Sequence, residues 1–555
     1  MTSTFQEEKS KRKLEVLRRK EEEESTQLLA QKYKLPYVDL SLYPIDIDAV
    51  KILAEEKARE GELVIFNATG KRLRVALHNP DKDLTKAILK RLEEDRYKLD
   101  LYFSSEHSLV HAWEFYKKAP EAHEVTSGAI QIAEKKLEEL IKEISALADV
   151  KKRVEETFLS RTTEALEVIM AGALAVEASD VHIEPHEEGI RLRFRIDGAL
   201  YDIIDLPQKL YALLLSRIKL VSELKLNVHD KAQDGRFSIK TGGVDTEVRT
   251  SVLPGPYGEN VVLRILNPKI IQVPFEELGM QPWVIETMEQ ELKKPNGMIV
   301  TTGPTGSGKT TTLYAFLRKL YVPSIKIITI EDPIEYHLSG TEQTQVDADK
   351  GYDFANGLRA IVRQDPDVIL VGEIRDFETA ETAMHAALTG HLVFSTLHTN
   401  NAAGTIPRLL DLGVKPAIMA PAINIAMAQR LLRRLCSSCK EPVKPDKNTE
   451  EKILKKIRAL PKGMVHPPAS SWKLFKAPEG GCSQCNMLSY KGRTGIFEII
   501  QIDERVESLI VKQPSEFELK REAQRQGQVS MEQDGLLKVL AGVTDFAELE
   551  RVVGL

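Results

Sequence analysis

The residues best suited to chemistry form a glycine-rich stretch, GPTGSGKTTT, at positions 303–312. It follows the apolar segment MIVTTG and precedes the helical segment TLYAFLRKL, an order that fits the phosphate-binding pattern G-x-x-x-x-G-K-[ST]. Glycines allow backbone N–H groups to turn inward around phosphate oxygens, and the N-terminus of the following helix adds positive charge. The candidate nucleotide-binding residues of this loop are Gly303, Pro304, Thr305, Gly306, Ser307, Gly308, Lys309, Thr310 and Thr311.

A carboxylate at the tip of a second apolar strand is the expected companion of this loop. We expect Lys309 to reach the β- and γ-phosphates and Thr310 to ligate Mg²⁺. Glu373 ends the strand VILVGE and is the candidate for the metal side of the site. Glutamate is one methylene longer than aspartate, but Gly372 leaves room and a water can fill the gap to Mg²⁺. The alternative is that Glu373 is only the charged tip of a buried strand.

Two further strand ends carry polar groups. IITIEDPIEYH places Glu331 at a strand end and Glu335 shortly after it. Hydrolysis needs a base or a water-positioning group, and Glu335 is the candidate, with Glu331 in support. VFSTLHTNN places His398 at another strand end, where we interpret it as a γ-phosphate sensor. The structural alternatives are an acid-capped turn with proline and a packed histidine.

The four cysteines fall in two C-x-x-C pairs, Cys436 with Cys439 and Cys482 with Cys485. Each pair turns two thiolates towards one point, and two pairs complete a tetrahedron around Zn²⁺. In a reducing compartment this arrangement indicates a metal rather than disulfides. Four ligands close the site, so we predict a structural zinc.

The elements that must position these groups belong to a large soluble protein. The chain has 555 residues, which is too long for a single hydrophobic core and favours several domains. Its net charge of −6 argues against a whole-surface nucleic-acid binder, and its composition is that of an ordinary globular protein. No apolar run approaches the ~20 residues needed to cross a bilayer, and residues 1–20 lack an apolar signal core. We therefore expect an intracellular protein whose membrane role depends on a partner.

The order of predicted elements gives a multidomain α/β fold. LPYVDL, ELVIFNA and RLRVALHN predict short strands of a first α/β domain, with a helix over 81–95. The polar helical stretch 126–156 is interpreted as a linker or stalk. Alternating strands from DVHIEP to NVVLRIL predict an antiparallel sheet, with helices at 163–177 and 210–224. Apolar strands alternating with helices then predict a parallel sheet, followed by the cysteines and a helical tail.

At this point four segments together resemble the secretion-superfamily motor ATPases, which include type II secretion and type IV pilus assembly ATPases. GPTGSGKTTT, IEDPIE, RQDPDVILVGEIRD and TGHLVFSTLHTN match that family's Walker A loop, Asp box, Walker B and His box, in this order. ASDVHIEP, FRIDG, QDGRF and GENVVLRIL look like its second N-terminal domain, and LPYVDLSLYPIDIDAV looks like its first. The resemblance covers the chain from about Leu35 to the C-terminus.

The resemblance implies ring-shaped hexamers with ATP held between a RecA-like domain and a PAS-like sheet domain. It places the catalytic glutamates on Glu335 and Glu373 and the His-box histidine on His398. Arginines are expected to neutralise the γ-phosphate charge, and such a residue is worth ~10³–10⁵ in rate. The candidates are Arg195, Arg217, Arg359 and Arg363.

The tetracysteine is typical of the assembly motors of this family. The sequence departs from the family's pattern at two places. The stretch before QDGR, in LNVHDKAQDGR, is shorter than is common in the family, and Ser489 stands where the family usually has glycine. The expected domains are a charged arm with a first α/β domain (1–118), a helical linker (119–160), a PAS-like domain (161–270), a RecA-like core (275–430), a zinc-binding tetracysteine subdomain (431–500) and a helical C-terminal region (501–555).

The leading hypothesis is a cytoplasmic hexameric ATPase that uses ATP, Mg²⁺ and Zn²⁺. It would act on an inner-membrane platform protein to assemble a type IV pilus, with peripheral membrane association through that partner. The alternative within the family is a type II secretion ATPase that powers a pseudopilus. A nucleic-acid motor is opposed by the net charge and by the lack of aromatic-rich basic strands. A cyclic-dinucleotide receptor lacks the RLG-type N-terminal motif of some relatives.

Overall fold

The computed structural model describes residues 22–118, 134–158, 162–268, 272–461, 472 and 474–554, apart from positions 24, 42, 44, 51, 70, 71, 95 and 96. The chain divides into two units, Met1–Gln131 and Ile132–Leu555. Within the described ranges no helix combines the length and apolar character that a bilayer span requires.

The first unit contains a three-stranded sheet in the order β1–β2–β3, with β1 and β2 antiparallel and β2 and β3 parallel. Its core includes Phe66, Phe103 and Trp113. The strands and the helix expected at 81–95 are confirmed, but LPYVDL contributes a single bridge, from Tyr37 to Phe103. The strands are β1 (Leu63–Thr69), β2 (Arg72–Leu77) and β3 (Lys98–Phe103); the helices are α1 (25–33), α2 (Ile47–Val50), α3 (Glu55–Glu60), α4 (Asp83–Glu94) and α5 (Glu106–Trp113).

The second unit begins with helices and a six-stranded antiparallel sheet in the order β6–β5–β4–β9–β8–β7. Buried and more exposed residues alternate along β5, the pattern of a sheet with one face on a core. Its strands are β4 (Asp180–His186), β5 (Gly189–Ile196), β6 (Ala199–Leu206), β7 (Gln233–Thr241), β8 (Val244–Gly255) and β9 (Gly258–Leu266). Its helices are α6 (Glu134–Glu143), α7 (Leu147–Thr157), α8 (Thr162–Ala175) and α9 (Gln208–Val221).

The stretch interpreted as a linker is part of this core, so that interpretation is wrong where the structure describes it. Leu137 on α6 and Val150 on α7 are fully buried in the same apolar cluster as the sheet. A Cβ on Gly172 of α8 would lie 2.7 Å from a methyl group of Val150, so glycine permits the close packing of the two helices. The apolar residues at helical spacing therefore mark a buried face rather than a stalk.

A seven-stranded sheet in the order β12–β11–β13–β14–β10–β15–β18 forms the rest of the second unit. It is parallel except for β18, which pairs antiparallel with β15. Every residue of β10 is buried, because helices cover both faces of the sheet. The strands are β10 (Gly297–Thr302), β11 (Ile327–Glu331), β12 (Glu342–Gln345), β13 (Val368–Val371), β14 (Leu392–Leu397), β15 (Ile423–Leu435) and β18 (Tyr490–Gln501), and a separate pair is β16 (Glu441–Pro442) with β17 (Phe475–Lys476).

Alternate residues of the central strands divide between two apolar clusters, one on each face. Met298 and Val300 join one cluster, and Ile299 joins the other. The covering helices are α10 (Pro282–Glu291), α11 (Lys309–Leu320), α12 (Phe354–Val362), α13 (Phe377–Leu388), α14 (Thr405–Asp411), α15 (Pro416–Ala422), α16 (Lys447–Arg458), α17 (Glu504–Val511), α18 (Glu516–Arg525), α19 (Met531–Leu540) and α20 (Phe546–Val553). The predicted α/β fold with a parallel sheet is thereby confirmed.

The cysteine segment is an insertion between two paired strands. Cys436 directly follows β15, and Cys485 precedes β18. The boundaries expected at 430 and 500 therefore fall within these strands, because β15 and β18 extend the sheet on either side of the insertion.

Candidate functional site

The glycine-rich loop connects β10 to α11 in a tightly curved backbone. Gly303, Gly306 and Gly308 have φ angles of 149°, 78° and 89°, which residues with a Cβ rarely adopt. Nζ of Lys309 donates to the carbonyl oxygens of Gly303 at 2.9 Å and Pro304 at 3.1 Å. The loop thus has the geometry of an anion cradle, with a lysine lying across it.

The predicted acidic and histidine side chains meet this loop at one edge of the sheet. Glu331 is the last residue of β11, Glu373 follows β13, and His398 follows β14, and these parallel strands run side by side with β10. Burial lowers the pKa of Lys309, while the charges of Glu373 and Glu335 act in the opposite direction. The structure therefore brings Lys309, Glu335, Glu373 and His398 into one neighbourhood.

Glu373 is held by two partners. Nε2 of His398 lies 3.1 Å from Oε2 of Glu373, and Arg375 forms an ion pair with the same carboxylate. Arg375 also lies 3.5 Å from a carboxylate oxygen of Asp332. Its hydrogen bond to Glu373 raises the pKa of Arg375. Arg375 was not among the predicted site residues, although it follows Glu373 by only two positions.

Glu331 is buried and its carboxylate is occupied by protein donors. The hydroxyl of Tyr314, on α11, donates to Glu331. Thr329 donates to the other oxygen at 2.6 Å, and Nε2 of Gln343 donates to it at 3.1 Å. Burial raises the pKa of Tyr314, and the charge of Glu331 raises it further. Glu331 thus ties the helix behind the glycine-rich loop to β11, a supporting position rather than an open one.

Glu335 lies beyond β11 in a desolvated environment. Burial raises the pKa of its carboxyl, and the positive charges of Arg249 and Arg264 oppose that shift. Nη2 of Arg249 donates to the carbonyl oxygen of Ile334 at 2.6 Å. A carboxyl with a raised pKa, beside cations and close to Lys309, has the properties of a general base.

Arg249 and Arg264 are functional candidates that the sequence interpretation missed. They lie directly opposite each other on β8 and β9, where like charges destabilise an antiparallel pair. Arg264 forms an ion pair with Asp180 at 3.0 Å, and Arg249 forms one with Glu247 at 3.3 Å. The positive charges of both arginines also act on the carboxyl of Glu335. The sequence held this signal only in part, because EVRTS and VLRIL show an arginine in each strand but not the register that pairs them.

The four arginines predicted for catalysis are engaged elsewhere or lie apart. Arg195 is paired with Asp180 at 3.4 Å, and Arg359 with Glu378 at 2.9 Å. Arg217 lies on α9, and Arg363 is exposed at the end of α12. Within the described residues, no hydrogen bond or ion pair joins any of the four to the glycine-rich loop. A role in the site would require a second chain and stays a prediction.

The four cysteines converge as the spacing predicts. Their Sγ atoms all lie within 4.8 Å of one another, and the Cys436–Cys482, Cys439–Cys485 and Cys482–Cys485 pairs are each 3.8 Å apart. A Zn–S distance of about 2.3 Å in a tetrahedron implies S–S separations of about 3.8 Å, so the thiols fit Zn²⁺. The tetracysteine therefore has the donor set and the spacing of a closed structural zinc site.

The unusual Ser489 supports this cluster. Its φ is 66°, in the left-handed region where glycine is favoured. Its N–H donates to Sγ of Cys485 at 3.2 Å, and its hydroxyl donates to the carbonyl oxygen of Pro478. The side-chain hydrogen bond offsets the strain of holding a residue with a Cβ in this backbone conformation.

Comparison with known proteins gives consistent results. A family profile described as "Type II/IV secretion system protein" matches residues 155–551. The chain is 37% identical over 540 residues to the type IV pilus assembly ATPase PilB of Myxococcus xanthus, covering 96% of this chain and 91% of that protein. It is 44% identical over 432 residues to type II secretion system protein E of Pseudomonas aeruginosa, covering 77% and 83%.

The X-ray structure of the Yersinia pseudotuberculosis ATPase DotB has a TM-score of 0.50 to this chain at 19% identity, covering 70% of this chain and 93% of that one. At this identity the likeness concerns the fold alone. The resemblance inferred from the four motifs is confirmed by the family profile and by relatives of 37% and 44% identity. The chain belongs to the type II/IV secretion system ATPase family.

Proposed function

We propose that the chain is a hexameric motor ATPase that hydrolyses ATP to drive type IV pilus assembly through an inner-membrane platform protein. The observation that carries the proposal is the convergence of Lys309, Glu335, Glu373 and His398 beside one glycine-rich loop. Each group is placed by a separate strand end or loop, so the arrangement suits one polyphosphate with a metal.

The glycine-rich loop binds the triphosphate. Its inward N–H groups and the N-terminus of α11 hold the phosphate oxygens, and Lys309 leaves its carbonyl partners to contact the β- and γ-phosphates. The residues present fit Mg²⁺, because Thr310 offers a hydroxyl and Glu373 a carboxylate near the same loop. When bound, Mg²⁺ would neutralise charge on the β- and γ-phosphates.

Glu335 acts as the base. Water attacks the γ-phosphorus and gives a proton to the carboxylate of Glu335 as the bond to the β–γ bridging oxygen breaks, and ADP and phosphate leave. The nearby Arg249 and Arg264 stabilise the charge that develops on the γ-phosphoryl group. His398, hydrogen-bonded to Glu373, senses whether that group is present.

The places of these groups in the two sheets support the proposed conversion of hydrolysis to mechanical work. Arg249 and Arg264 belong to the six-stranded sheet, whereas Lys309 begins α11 and Glu335 follows β11, both on segments attached to strands of the seven-stranded sheet. A site that needs both sheets closes on ATP and relaxes after hydrolysis, so each cycle displaces one sheet against the other. In a ring of six chains on the cytoplasmic side of the inner membrane, that displacement would pass to the platform protein.

Type II secretion is the second candidate. The match to type II secretion system protein E has the higher identity, 44%, but covers 77% of this chain, whereas the match to PilB covers 96%. We favour pilus assembly because that likeness extends over more of the chain. Both functions would use the same catalytic site. They differ in the platform protein that the ATPase acts on and in the filament, a pilus or a pseudopilus.

Phosphate release by the purified full-length chain with Mg²⁺ tests the ATPase. We expect Lys309→Gln to lose nucleotide binding, whereas Glu335→Gln should keep binding within about twofold and lose turnover by at least about 10²-fold. Glu342→Gln, on an exposed position of β12, is the matched control and should behave as wild type. Turnover by Glu335→Gln at the wild-type rate would remove this base from the mechanism.

Partner capture tests the pilus assignment. Full-length chain in its nucleotide-bound state should bind a platform protein encoded with pilins and restore piliation in a strain that lacks the ATPase gene. Restoration of exoprotein secretion without pili would assign the chain to type II secretion instead.

A further inference from the structure

A carboxylate outside the described site holds the loop that follows His398. Oε1 of Glu498, on β18, accepts from the backbone N–H of Ala402 at 3.0 Å. Oε2 of the same side chain accepts from the N–H of Met531, the first residue of α19, at 3.4 Å. One side chain therefore bridges the segment 398–404, which we call the His loop, and a C-terminal helix.

The His loop is held at two further points. Thr302, the last residue before the glycine-rich loop, accepts from the N–H of Thr399 at 2.8 Å. On the solvent side, Nδ2 of Asn401 donates to Glu516 on α18 at 2.8 Å. The loop thus lies between the strand that leads into the phosphate cradle and elements from the last part of the chain.

Glu498 is an unusual choice for this position. Burial raises the pKa of its carboxyl, although its two backbone donors and the charge of Lys520 act in the opposite direction. The charge of Glu516 raises it further. No ion pair of Glu498 occurs among the described residues, so two backbone N–H groups satisfy it. A half-buried carboxyl without a cationic partner is costly unless those donors stay in place.

We propose that Glu498 is a positioning residue that fixes the His loop and, through it, the side chain of His398. The proposal rests on the proposed ATPase function and adds a residue from β18 to it. It also gives the C-terminal helices a role in hydrolysis, because α18 and α19 reach the nucleotide site through the loop that they hold. A partner that moves these helices would then change the position of His398.

Kinetics of the full-length protein provide the first test. Glu498→Gln keeps the shape of the side chain but replaces one acceptor oxygen with a donor group facing a backbone N–H. We expect kcat to fall about tenfold and KM for ATP to stay within about twofold, since the glycine-rich loop is untouched. In single turnover, Glu498→Gln should change the rate less than about twofold when His398 is already alanine, because both changes affect one group.

Hydrogen exchange gives a readout that does not depend on turnover. Glu498→Gln should speed amide exchange in the peptide that spans 398–404 and leave the peptide that spans 303–311 unchanged. Glu504→Gln, exposed at the start of α17, is the matched control and should alter neither rate nor exchange. If Glu498→Gln fails to fold, Asn401→Ala releases the same loop from its solvent side and should lower kcat about threefold.

Three results separate the outcomes. Additive losses in the Glu498→Gln and His398→Ala double variant would overturn the positioning role. Unchanged exchange in the His loop would overturn it as well. Absence of ATP hydrolysis by the wild-type ring would instead reject the proposed function, whatever the exchange data show.

Discussion

Nη2 of Arg249 donates to the carbonyl oxygen of Ile334 at 2.6 Å, which holds an arginine of the six-stranded sheet beside Glu335, in the loop that follows β11 of the seven-stranded sheet. The guanidinium is bound to the backbone next to the proposed base rather than to its carboxylate. It therefore stabilises the ionised form of Glu335 without occupying the oxygens that would accept a proton. The contact makes the strength of the base depend on how the two sheets meet.

Arg249→Ala should shift the pH dependence of hydrolysis. Burial already raises the pKa of Glu335, and the positive charge of Arg249 opposes that shift. Removing the charge raises the pKa further, and the base is competent only when ionised, so the acid limb of the kcat profile should move to higher pH. Arg249→Lys keeps the positive charge and should leave the acid limb close to its wild-type position. Steady-state rates across pH measure it, with Arg191→Ala, exposed on β5, as control; an unmoved acid limb would contradict it.

Tyr314→Phe should weaken both folding and catalysis. The change removes a donor to the buried carboxylate of Glu331 and leaves Thr329 and Gln343 as its remaining partners. An under-satisfied buried carboxylate costs about 1–3 kcal/mol, which should lower the melting temperature. Because Tyr314 lies on the helix behind the glycine-rich loop, we also expect a lower kcat. The exposed Tyr321→Phe serves as control, and equal melting curves for the two variants would exclude the Tyr314–Glu331 tie as a stabilising contact.

The sequence predicts those parts of the site that are each contained in one short motif. The glycine-rich loop and the strand ends at Glu373 and His398 follow from local pattern, because parallel strands end at a common edge. Arg249 and Arg264 depend on the register of β8 with β9, and Glu498 depends on β18 returning beside β15. Such pairings between distant segments are not encoded in local periodicity. The same holds for α6 and α7, whose apolar spacing predicts a buried face but not the sheet that covers it.

Removal of metal should unfold the cysteine insertion first. The four thiols have the spacing of a zinc tetrahedron, so we expect about one zinc per chain by elemental analysis. Cys482→Ser or a strong chelator should remove the metal, lower the melting temperature and increase proteolysis between residues 436 and 490. Ser437→Ala, an exposed change between two ligands, should keep full zinc content. A metal-free wild-type protein with unchanged stability in chelator would refute a structural zinc.

Asp197→Ala should loosen a second contact between the six-stranded and seven-stranded sheets, separate from the one between Arg249 and Ile334. Oδ2 of Asp197, in the turn between β5 and β6, accepts from the N–H of Gly492 at 2.8 Å, and Oδ1 lies 3.8 Å from Nε of Arg493 on β18. Nearby, Arg433 donates to the hydroxyl of Tyr201 at 3.1 Å. Gly492 and Arg493 lie near the start of β18, and Arg433 lies near the end of β15, so these contacts are at the base of the cysteine insertion and away from the glycine-rich loop in sequence.

Loss of this contact should therefore leave nucleotide affinity within about twofold and lower kcat about threefold to tenfold, since the arginines of the six-stranded sheet would be held less firmly beside Glu335. Titration with a fluorescent ATP analogue and phosphate-release rates measure the two quantities separately. Combined with Arg249→Ala, the loss should be less than the product of the single losses, because both changes act on one closure. Asp205→Ala, exposed at the far end of β6, is the matched control; a full product of losses would show that Asp197 acts by another route.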